Sequence, residues 1–361
     1  MKTATTTIPA LFLVLLCALL HAQVPEAPAR PLSLTMAWDA QSSGVLARLN
    51  AVFFTSRERG WAVGSNSTVL STDDGGATWR KTLLPNHEML RDILFFDEQR
   101  GFLLGEYSLF NRTDNRFPTE KSFLMATTDA GEYWRVSPLA RPVSVKTDQL
   151  TRYAGEIVLR MHFADARNGW ACGETGLILA TRDGGRTWKT QRAAQVKKIL
   201  YGLSAVDAST AWTVGAGGVV LRTVDAGENW HEQTSGAAKT LYDVQFTDAK
   251  NGCAAGAGGT ILITGDGGLK WRQAQAAVAE DLHDVFFLNA REGWVAGNRG
   301  ALFRTRDGGE TWEDYSLKTR ASLQRLFFLA PDCGWVVGSN GAIYKFHAVA
   351  APRPGIDSPG N

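Results

Sequence analysis

The eight residues Thr181–Trp188 read T-R-D-G-G-R-T-W, and the underlying pattern, T-x-D-x-G-x-x-W, returns throughout the chain. A single copy is compatible with a metal loop, a phosphate-binding loop or a plain hairpin turn. Six copies indicate a repeated structural unit rather than a single functional site. The copies span residues 72–79, 127–134, 181–188, 223–230, 264–271 and 305–312.

A second marker, a small residue followed in most cases by an aromatic one, precedes each copy and occurs once more after the last. Its seven occurrences are separated by 41, 68, 42, 41, 41 and 41 residues, and a period of about 40 residues is typical of propeller blades and solenoid units. Each unit contains short alternating apolar segments between Gly and Asp turns, which indicates four short strands. The markers are Gly60-Trp61, Gly101-Phe102, Gly169-Trp170, Ala211-Trp212, Gly252-Cys253, Gly293-Trp294 and Gly334-Trp335.

The repeat predicts an all-β fold, a seven-bladed β-propeller of four-stranded blades with Asp-box turns, over residues 35–347. The last unit lacks the turn motif and stops after Phe346, so one strand is missing there. Ala37-Trp38-Asp39-Ala40 resembles the fourth-strand segments TWKTQ and TWEDY of other units. We therefore predict that residues 35–41 close the ring as the outer strand of blade 7, which limits exposed sheet edges. Residues 348–361 are expected to form a disordered tail.

The recurring turn has a structural interpretation. It falls between strands three and four of each blade, where Gly adopts backbone angles closed to other residues and a short Asp side chain accepts backbone N–H bonds. The Trp that follows is expected to pack between blades. A calcium loop is the alternative, but one acid per turn supplies too few ligands and no Glu stands at the far position. We predict neither a metal nor a cofactor.

Composition limits the possible partners and compartments. A formal charge of +2 on 361 residues gives little general attraction for phosphate backbones, so we expect no nucleic-acid partner. Residues 1–22, with Lys2 and an apolar run, have the layout of a secretory signal peptide, followed by a linker over 23–34. Cys17 lacks the small preceding residue of a lipoprotein signal. The mature chain keeps an odd number of cysteines, Cys172, Cys253 and Cys333, which we expect to be free buried thiols.

With G-W-x-x-G followed by T-x-D-G-G-x-T-W at a 41-residue period, the chain resembles the Asp-box (BNR) propellers over residues ~35 to 346. It is most similar to the family of the photosystem II assembly factor Ycf48 and its bacterial relatives. The resemblance implies a non-catalytic propeller on the extracytoplasmic side of a membrane, which binds a membrane-protein client during assembly. Export to a periplasm or an equivalent space, with possible membrane association, fits the signal peptide. The missing lipoprotein cysteine and twin-arginine signal depart from parts of the family pattern.

The one long interval points to a binding surface, because loops carry binding on a scaffold built by repeats. It holds 68 residues instead of 41, and the 27 extra residues divide into two insertions. One lies between strands two and three of blade 2, and the other lies between blades 2 and 3. Both are expected on the face opposite the Asp boxes. Their basic residues, Arg112, Arg116, Lys121, Arg141, Lys146 and Arg152, favour a partner that offers carboxylates, with Phe110, Phe117 and Tyr153 as apolar anchors.

The same face should hold the starts of the inner strands, around the mouth of the central channel. Aligned by repeat, these starts present two sets of residues, with Arg91, Tyr201, Tyr242, His283, Arg160 and Arg325 as candidate binding residues beside the insertions. The alternative for each is a wet channel whose polar side chains satisfy one another. The first set is Asn50, Arg91, Leu159, Tyr201, Tyr242, His283 and Gln324, and the second is Ala51, Asp92, Arg160, Gly202, Asp243, Asp284 and Arg325.

Two enzymatic functions are the alternatives to this binding interpretation. Sialidases share the Asp box, but the Arg-Ile-Pro motif that such a resemblance requires is absent and no Glu occupies either aligned position. Another glycoside hydrolase needs two carboxylates ~5 to 10 Å apart, and Asp243 with Asp284 is the candidate pair. A carbohydrate-binding propeller is the remaining alternative. We predict no catalytic residues, a monomer, and an extracytoplasmic part of a membrane protein or complex as the partner.

Overall fold

The computed structural model describes residues 34–84, 88–107, 121–137, 156–191 and 196–350. Twenty-eight strands of that part form seven four-stranded antiparallel sheets. The first three blades are built from β2 (Leu49–Phe54), β3 (Gly60–Gly64), β4 (Thr68–Thr72) and β5 (Arg80–Leu83); from β6 (Met89–Phe95), β7 (Gly101–Glu106), β8 (Ser122–Thr127) and β9 (Arg135–Ser137); and from β10 (Val158–Phe163), β11 (Gly169–Gly173), β12 (Ile178–Thr181) and β13 (Lys189–Thr190).

Blades 4 to 7 repeat this plan. Their strands are β14 (Leu200–Ala205), β15 (Ala211–Gly215), β16 (Val220–Thr223) and β17 (His231–Gln233); β18 (Leu241–Phe246), β19 (Gly252–Gly256), β20 (Ile261–Thr264) and β21 (Arg272–Gln273); β22 (Leu282–Phe287), β23 (Gly293–Gly297), β24 (Leu302–Thr305) and β25 (Glu313–Asp314); and β26 (Leu323–Ala330), β27 (Cys333–Gly338) and β28 (Ile343–Ala350). Short 3-10 turns join strands two and three at Glu174–Gly176, Ala216–Gly218, Ala257–Gly259, Asn298–Gly300 and Ser339–Gly341.

The N-terminal strand closes the ring, as the sequence predicts. Strand β1 (Leu34–Gln41) pairs with β28, so the seventh sheet has the order β1-β28-β27-β26. Trp38 fixes this strand by packing against Phe346 and Trp294, with ring centroids 5.1 and 5.5 Å away. The predicted seven-bladed propeller is confirmed. Thr35–Val349 forms one compact unit.

The Asp-box turn is held by its own threonine and aspartate. In the copy that begins at Thr181, the Gly185 N–H donates to the threonine hydroxyl at 2.8 Å, and the Thr187 N–H donates to the Asp183 carboxylate at 2.9 Å. Gly184 and Gly185 have φ angles of 73° and 81°, which favour glycine. Hydrogen bonds from Thr78 and Thr72 lower the pKa of Asp74, the equivalent residue of blade 1, to about 2. The hydrogen-bond donors of the turn itself therefore occupy the carboxylate of the Asp-box aspartate.

Aromatic rings hold neighbouring blades together. Trp335 of blade 7 stacks on Phe54 of blade 1 with ring centroids 3.4 Å apart, and its indole N–H donates to the Gly75 carbonyl at 3.2 Å. Trp212 of blade 4 stacks in the same way on Phe246 of blade 5. Burying one large apolar side chain contributes roughly 1.5–3 kcal/mol. These repeated stacks therefore make the joints between blades a main source of stability.

The two faces of the ring carry different connections. On one face each Asp-box turn lies beside the turn between strands one and two, as the bond from the Gly75 N–H to the Glu58 carbonyl shows. On the opposite face the turns between strands two and three meet the blade-to-blade connections, as in the bond from the Gly259 N–H to the Glu280 carbonyl. We call this second face the insertion face, because both breaks of the repeat, 108–120 and 138–155, fall between strand ends that lie on it.

Candidate binding face

A bulge at the start of every inner strand builds the rim of the channel. The pairing register of the first two strands shifts by one residue at this point in all seven blades. The extra residue of a bulge is left out of the ladder, and its side chain is redirected. The seven residues so placed are half-buried on the insertion face: Asn50, Arg91, Leu159, Tyr201, Tyr242, His283 and Gln324.

Three of these residues form an arc of rings across blades 4 to 6. Tyr201 and Tyr242 meet edge to face with centroids 5.6 Å apart, and Tyr242 lies 5.4 Å from the His283 ring. Burial and the negative charge of Asp281 raise the pKa of Tyr242. Burial lowers the pKa of His283, so the imidazole is neutral near pH 7. The arc presents flat, uncharged side chains with polar tips.

A chain of hydrogen bonds continues the rim across blades 6, 7 and 1. His283 Nε2 contacts Asn298 Oδ1 at 2.8 Å, and the Ser322 hydroxyl donates to the same oxygen at 2.6 Å. Gln324 Nε2 donates to Ser322 Oγ at 2.6 Å. The Gln324 side-chain oxygen in turn accepts a bond from Arg48. This polar chain fixes the side chains of the rim before any partner arrives.

The positive charge of the rim lies at blades 1 and 2. Arg91 is paired with Glu106, to which its Nε donates at 3.0 Å. The pKa of Arg48 is lowered by burial and by repulsion from Arg91. Because Glu106 already pairs with Arg91, the charge that an incoming carboxylate would stabilise is chiefly that of Arg48, whose guanidinium donates to the neutral Gln324 amide.

The second aligned set lies deeper than sequence analysis places it. Arg160 and Arg325 are not rim residues, because their side chains are only 16% and 13% exposed and form ion pairs inside the channel. Arg160 contacts Asp243 at 3.0 Å and Asp284 at 3.2 Å. Arg325 contacts Asp92 at 3.3 Å. We call these five residues the channel network, and they match the alternative in which polar side chains satisfy one another.

The aspartates of the channel network also join adjacent blades. Asp284 Oδ2 accepts the Leu326 N–H at 2.8 Å, and Asp243 Oδ2 accepts the Val285 N–H at 3.2 Å. Burial raises the pKa of both carboxyls, and the charge of Asp243 raises that of Asp284 further. These carboxylates are committed to a guanidinium and to backbone N–H groups, so they do not flank an open cleft as the two acids of a glycosidase do.

The insertions meet the ring beside this rim. Lys121, at the end of the first insertion, pairs with Glu174 of blade 3 at 3.4 Å. The same carboxylate accepts the Ile157 N–H at 3.2 Å, next to the end of the second insertion. The predicted binding residues Arg112, Arg116, Arg141, Lys146 and Arg152 lie outside the described residues, as do Phe110, Phe117 and Tyr153.

Sequence reasoning missed several members of the rim. Arg48 and Ser322 stand one residue before the leucine that begins an inner strand, and Asn298 begins the turn between strands two and three of blade 6. Backbone bonds join these two positions, as from the Asn298 N–H to the Asp281 carbonyl. Aligning the turn of each blade with the residue before its inner strand would have found them. Within the described ranges, no group of three or more His, Cys, Asp or Glu side chains could hold a metal ion.

Comparison with known proteins places this fold in a family. The model of the family described as photosynthesis system II assembly factor YCF48 matches residues 31–141, 141–236 and 231–349. The chain belongs to this family. The photosystem II assembly lipoprotein Ycf48 of Synechococcus sp. (strain CC9902) is 30% identical over 170 residues, which cover 46% of this chain and 42% of the relative. The aligned part is thus less than half of that relative's length.

Solved structures support the fold of this YCF48-family chain. A structure of YCF48 bound to D1 peptide superposes with a TM-score of 0.68 at 21% identity, covering 86% of this chain and 94% of that chain. The virginiamycin B lyase of Staphylococcus aureus reaches a TM-score of 0.66 at 9% identity, covering 88% of this chain and all of the lyase. At such identities the likeness concerns the propeller alone. In the described part of the chain, no helix has the length and apolar character needed to cross a membrane.

Proposed function

We propose that this chain is a non-catalytic assembly factor that binds a membrane-protein client through its insertion face. The observation that carries the proposal is the pre-formed rim, in which the rings of Tyr201, Tyr242 and His283 continue into a hydrogen-bonded chain that ends at Arg48. Family membership supports the class of function, because the relatives are named as photosystem II assembly factors. A structure of one relative is described as bound to D1 peptide, which supports a polypeptide as the partner.

The rim suits an extended segment that carries a carboxylate. Arg48 and Arg91 offer charge-assisted hydrogen bonds at one side of the mouth, and arginine can grip a carboxylate through two parallel bonds. The aromatic arc on the other side offers rigid apolar area, which usually dominates contacts between proteins. The two insertions are basic in sequence, with Arg112, Arg116, Arg141, Lys146 and Arg152, which favours the same kind of partner. The extracytoplasmic part of a membrane protein under assembly is the client that fits the family.

Export is part of the same proposal. Residues 1–22 serve as the signal peptide and residues 23–34 as a linker. The exported propeller works in a periplasm or an equivalent space, and it works as a monomer. The relatives are named as lipoproteins, which supports an exported protein that acts at a membrane. Mass spectrometry of the exported protein should find the signal segment removed.

Absence of hydrolysis distinguishes this proposal from the glycosidase alternative. Asp243 and Asp284, the only pair that the repeat suggested, are about 2% exposed and share the guanidinium of Arg160. A panel of chromogenic sialosides and glycosides should show no turnover. Turnover that the Asp243→Asn, Asp284→Asn double variant abolishes, with the fold retained, would support the glycosidase instead.

The decisive experiment separates the two faces. Full-length protein carrying Arg48→Ala with Tyr242→Ala, or with each insertion shortened to the length of the other blades, should lose one specific membrane protein in an in-cell crosslinking pull-down. The matched control is Arg272→Ala with Tyr133→Ala, which removes one exposed arginine and one exposed tyrosine elsewhere on the ring and should retain the partner. Recovery of the same partners by the folded rim and insertion variants would contradict the proposal.

A further inference from the structure

The loop that leads into blade 1 carries an exposed leucine on the insertion face. Leu46 lies in the connection from β1 to β2, and it is 87% exposed. The Gly341 N–H, in the turn between strands two and three of blade 7, donates to the Ala47 carbonyl at 2.8 Å, so the loop lies beside that turn. A single exposed leucine is ordinary on a protein surface. The surroundings of Leu46 therefore decide what it does.

The neighbouring loop around the ring places an arginine at the equivalent position. In the connection from β25 to β26, the Gly300 N–H donates to the Ala321 carbonyl at 2.8 Å, which repeats the bond made by the loop of Leu46. Arg320 and Leu46 each precede the residue that accepts this bond, and both line the same open cleft of about 580 Å³. At this repeat position the other units have residues that are smaller or more polar than leucine: His87, Gly155, Lys197, Ala238, Ala279 and Arg320.

Three exposed cations surround Gly300, next to this cleft. Arg299 precedes Gly300 in its turn, and Arg320 precedes the residue whose carbonyl accepts the Gly300 N–H. Lys318 follows Leu317, whose N–H donates to the Gly300 carbonyl at 2.9 Å. All three side chains are exposed, and they form neither an ion pair nor a side-chain hydrogen bond with any residue that the structure describes. No described partner therefore neutralises their charge.

These segments form a part of the insertion face with one sign of charge, which we call the cationic sector. It comprises the loops 42–48 and 315–322 and the turn Asn298–Gly300, which contain no Asp or Glu. Peripheral membrane proteins combine exposed cations with protruding apolar side chains, because the cations attract anionic lipids and the apolar groups enter the boundary of the acyl chains. The cationic sector has both features. Its exposed cations are Arg48, Arg299, Lys318 and Arg320.

We propose that the cationic sector docks on the surface of an anionic lipid bilayer, with Leu46 in the interface and the cations against the lipid phosphates. A bilayer suits this sector better than an acidic protein segment does, because no hydrogen bond holds the three cations around Gly300 in one orientation. The rim, in contrast, fixes its side chains through the hydrogen-bonded chain from His283 to Arg48. Cations that keep several rotamers match lipid headgroups, which present phosphates at no fixed spacing. Each cation adds its own share of the attraction.

This docking goes beyond client binding and can be tested without a client. It places the insertion face toward the bilayer, so the rim meets segments of a membrane protein where they leave the lipid. Attachment of this kind is reversible, because a few cations and one leucine bind far more weakly than a spanning helix does. Salt should weaken the attachment, since charges at a surface are screened over about 8 Å at physiological ionic strength.

The first test is cosedimentation of the exported, purified protein with vesicles. The wild type should bind vesicles made of equal parts of phosphatidylglycerol and phosphatidylcholine, and it should bind pure phosphatidylcholine at least about tenfold more weakly. Leu46→Ser should lower the partition coefficient about tenfold. A second variant replaces the three cations around Gly300 by glutamine and should lower the coefficient at least ~30-fold. Arg48 is retained because it belongs to the rim. The substitutions of the second variant are Arg299→Gln, Lys318→Gln and Arg320→Gln.

The matched controls carry the same kinds of change on the Asp-box face. Leu269→Ser alters a leucine that is 71% exposed. Both this control and the charge control should bind vesicles as the wild type does. The controls share the N-terminus of the other variants, so lipid binding by that segment cannot explain a difference between the two sets. The charge control removes three exposed cations that form no ion pair with a described residue: Arg186→Gln, Lys270→Gln and Arg291→Gln.

A label at the leucine position tests the contact directly. Leu46→Cys and Leu269→Cys each add one exposed thiol to a propeller whose own cysteines are buried, and an environment-sensitive nitrobenzoxadiazole label is attached there. With anionic vesicles, the fluorescence of the label at position 46 should rise and shift to shorter wavelength, whereas the label at position 269 should not change.

Three results would overturn the proposal: no shift at position 46, equal binding of the wild type to neutral vesicles, or equal binding by the cation variant and its charge control. The pull-down separates this outcome from failure of client binding. If the wild type does not bind vesicles and the cation variant loses a membrane protein from the crosslinked partners, the sector binds an acidic protein surface instead of lipid.

Discussion

Arg160 of blade 3 and Asp243 of blade 5 are joined across the channel by an ion pair of 3.0 Å, although 83 residues separate them in sequence. The same guanidinium reaches Asp284 of blade 6 at 3.2 Å. Arg325 of blade 7 forms the corresponding ion pair with Asp92 of blade 2. Ring stacking joins several pairs of neighbouring blades, whereas these two arginines connect blades that do not touch through their sheets. The channel network therefore braces the ring from within.

Removing Arg160 should destabilise the whole propeller. Arg160→Ala leaves the buried Asp243 carboxylate without its cation and leaves Asp284 only its longer contact of 3.7 Å to Arg325. Breaking a buried pair from one side costs about 3–5 kcal/mol. Urea unfolding followed by circular dichroism measures the change in the free energy of unfolding. Arg272→Ala, which breaks an exposed pair with Glu310, is the control and should cost less than about 1 kcal/mol. Equal stabilities of the two variants would contradict a bracing role.

His162 should make the stability depend on pH. Its Nδ1 accepts the Ala205 N–H at 3.1 Å, and burial together with the charge of Arg160 lowers its pKa to about 4 from an ordinary 6.5. Between these values the unfolded chain binds a proton that the folded chain does not. The stabilising contribution is therefore complete above pH 6.5 and is lost as the pH falls toward 4, by at most about 3 kcal/mol.

NMR titration of the imidazole measures this pKa directly, and urea unfolding at pH 7.5, 6, 5 and 4 measures the loss of stability. His162→Asn keeps an acceptor for the Ala205 N–H and removes the titrating group, so its free energy of unfolding should fall less steeply with pH than that of the wild type. His231→Asn, on an exposed outer strand, is the control. A titration midpoint of the His162 imidazole near pH 6.5 would show that the side chain is not buried beside Arg160 as described.

The sequence predicts the propeller because most of the contacts that build it lie within one blade or between adjacent blades. In each unit, the alternation of apolar and polar residues indicates the strands, and the T-x-D-x-G-x-x-W motif indicates the turn. The period gives the number of blades. Strand β1 is recognisable because Trp38 follows the fourth-strand pattern, even though its partner Phe346 lies at the other end of the chain. Such features depend on contacts within one unit or between adjacent units, and the repeat shows these many times over.

The channel network is harder to predict, because its contacts join blades that are distant in sequence. Alignment shows which residues share a position, but the reach of Arg160 to Asp243 depends on the diameter of the ring and on the depth of each bulge.

The three cysteines of the propeller should be unreactive until the protein unfolds. Cys172, Cys253 and Cys333 are buried and free, as predicted from the odd count. Burial raises the pKa of Cys172 to about 12, so little thiolate exists near pH 8. An assay with Ellman's reagent should give three thiols per propeller in guanidinium chloride and a rate at least ~100-fold lower in the native state. A disulfide-linked peptide in a non-reducing digest would contradict this expectation.

Ring closure should depend on Trp38 more than on any other residue of β1. Its ring contacts Phe346, Trp294 and Phe328, the last with centroids 5.8 Å apart, and these contacts bind β1 to blades 6 and 7. Trp38→Ala should cost about 2–4 kcal/mol, somewhat less than the roughly 3–5 kcal/mol usual for a buried large aromatic, because the ring is only half-buried. Deleting residues 31–42 should open the ring and lower the melting temperature further. Tyr133→Ala, at an exposed ring elsewhere, is the control and should change stability little. If the deletion variant melts as cooperatively and at the same temperature as the wild type, β1 does not close the ring in solution.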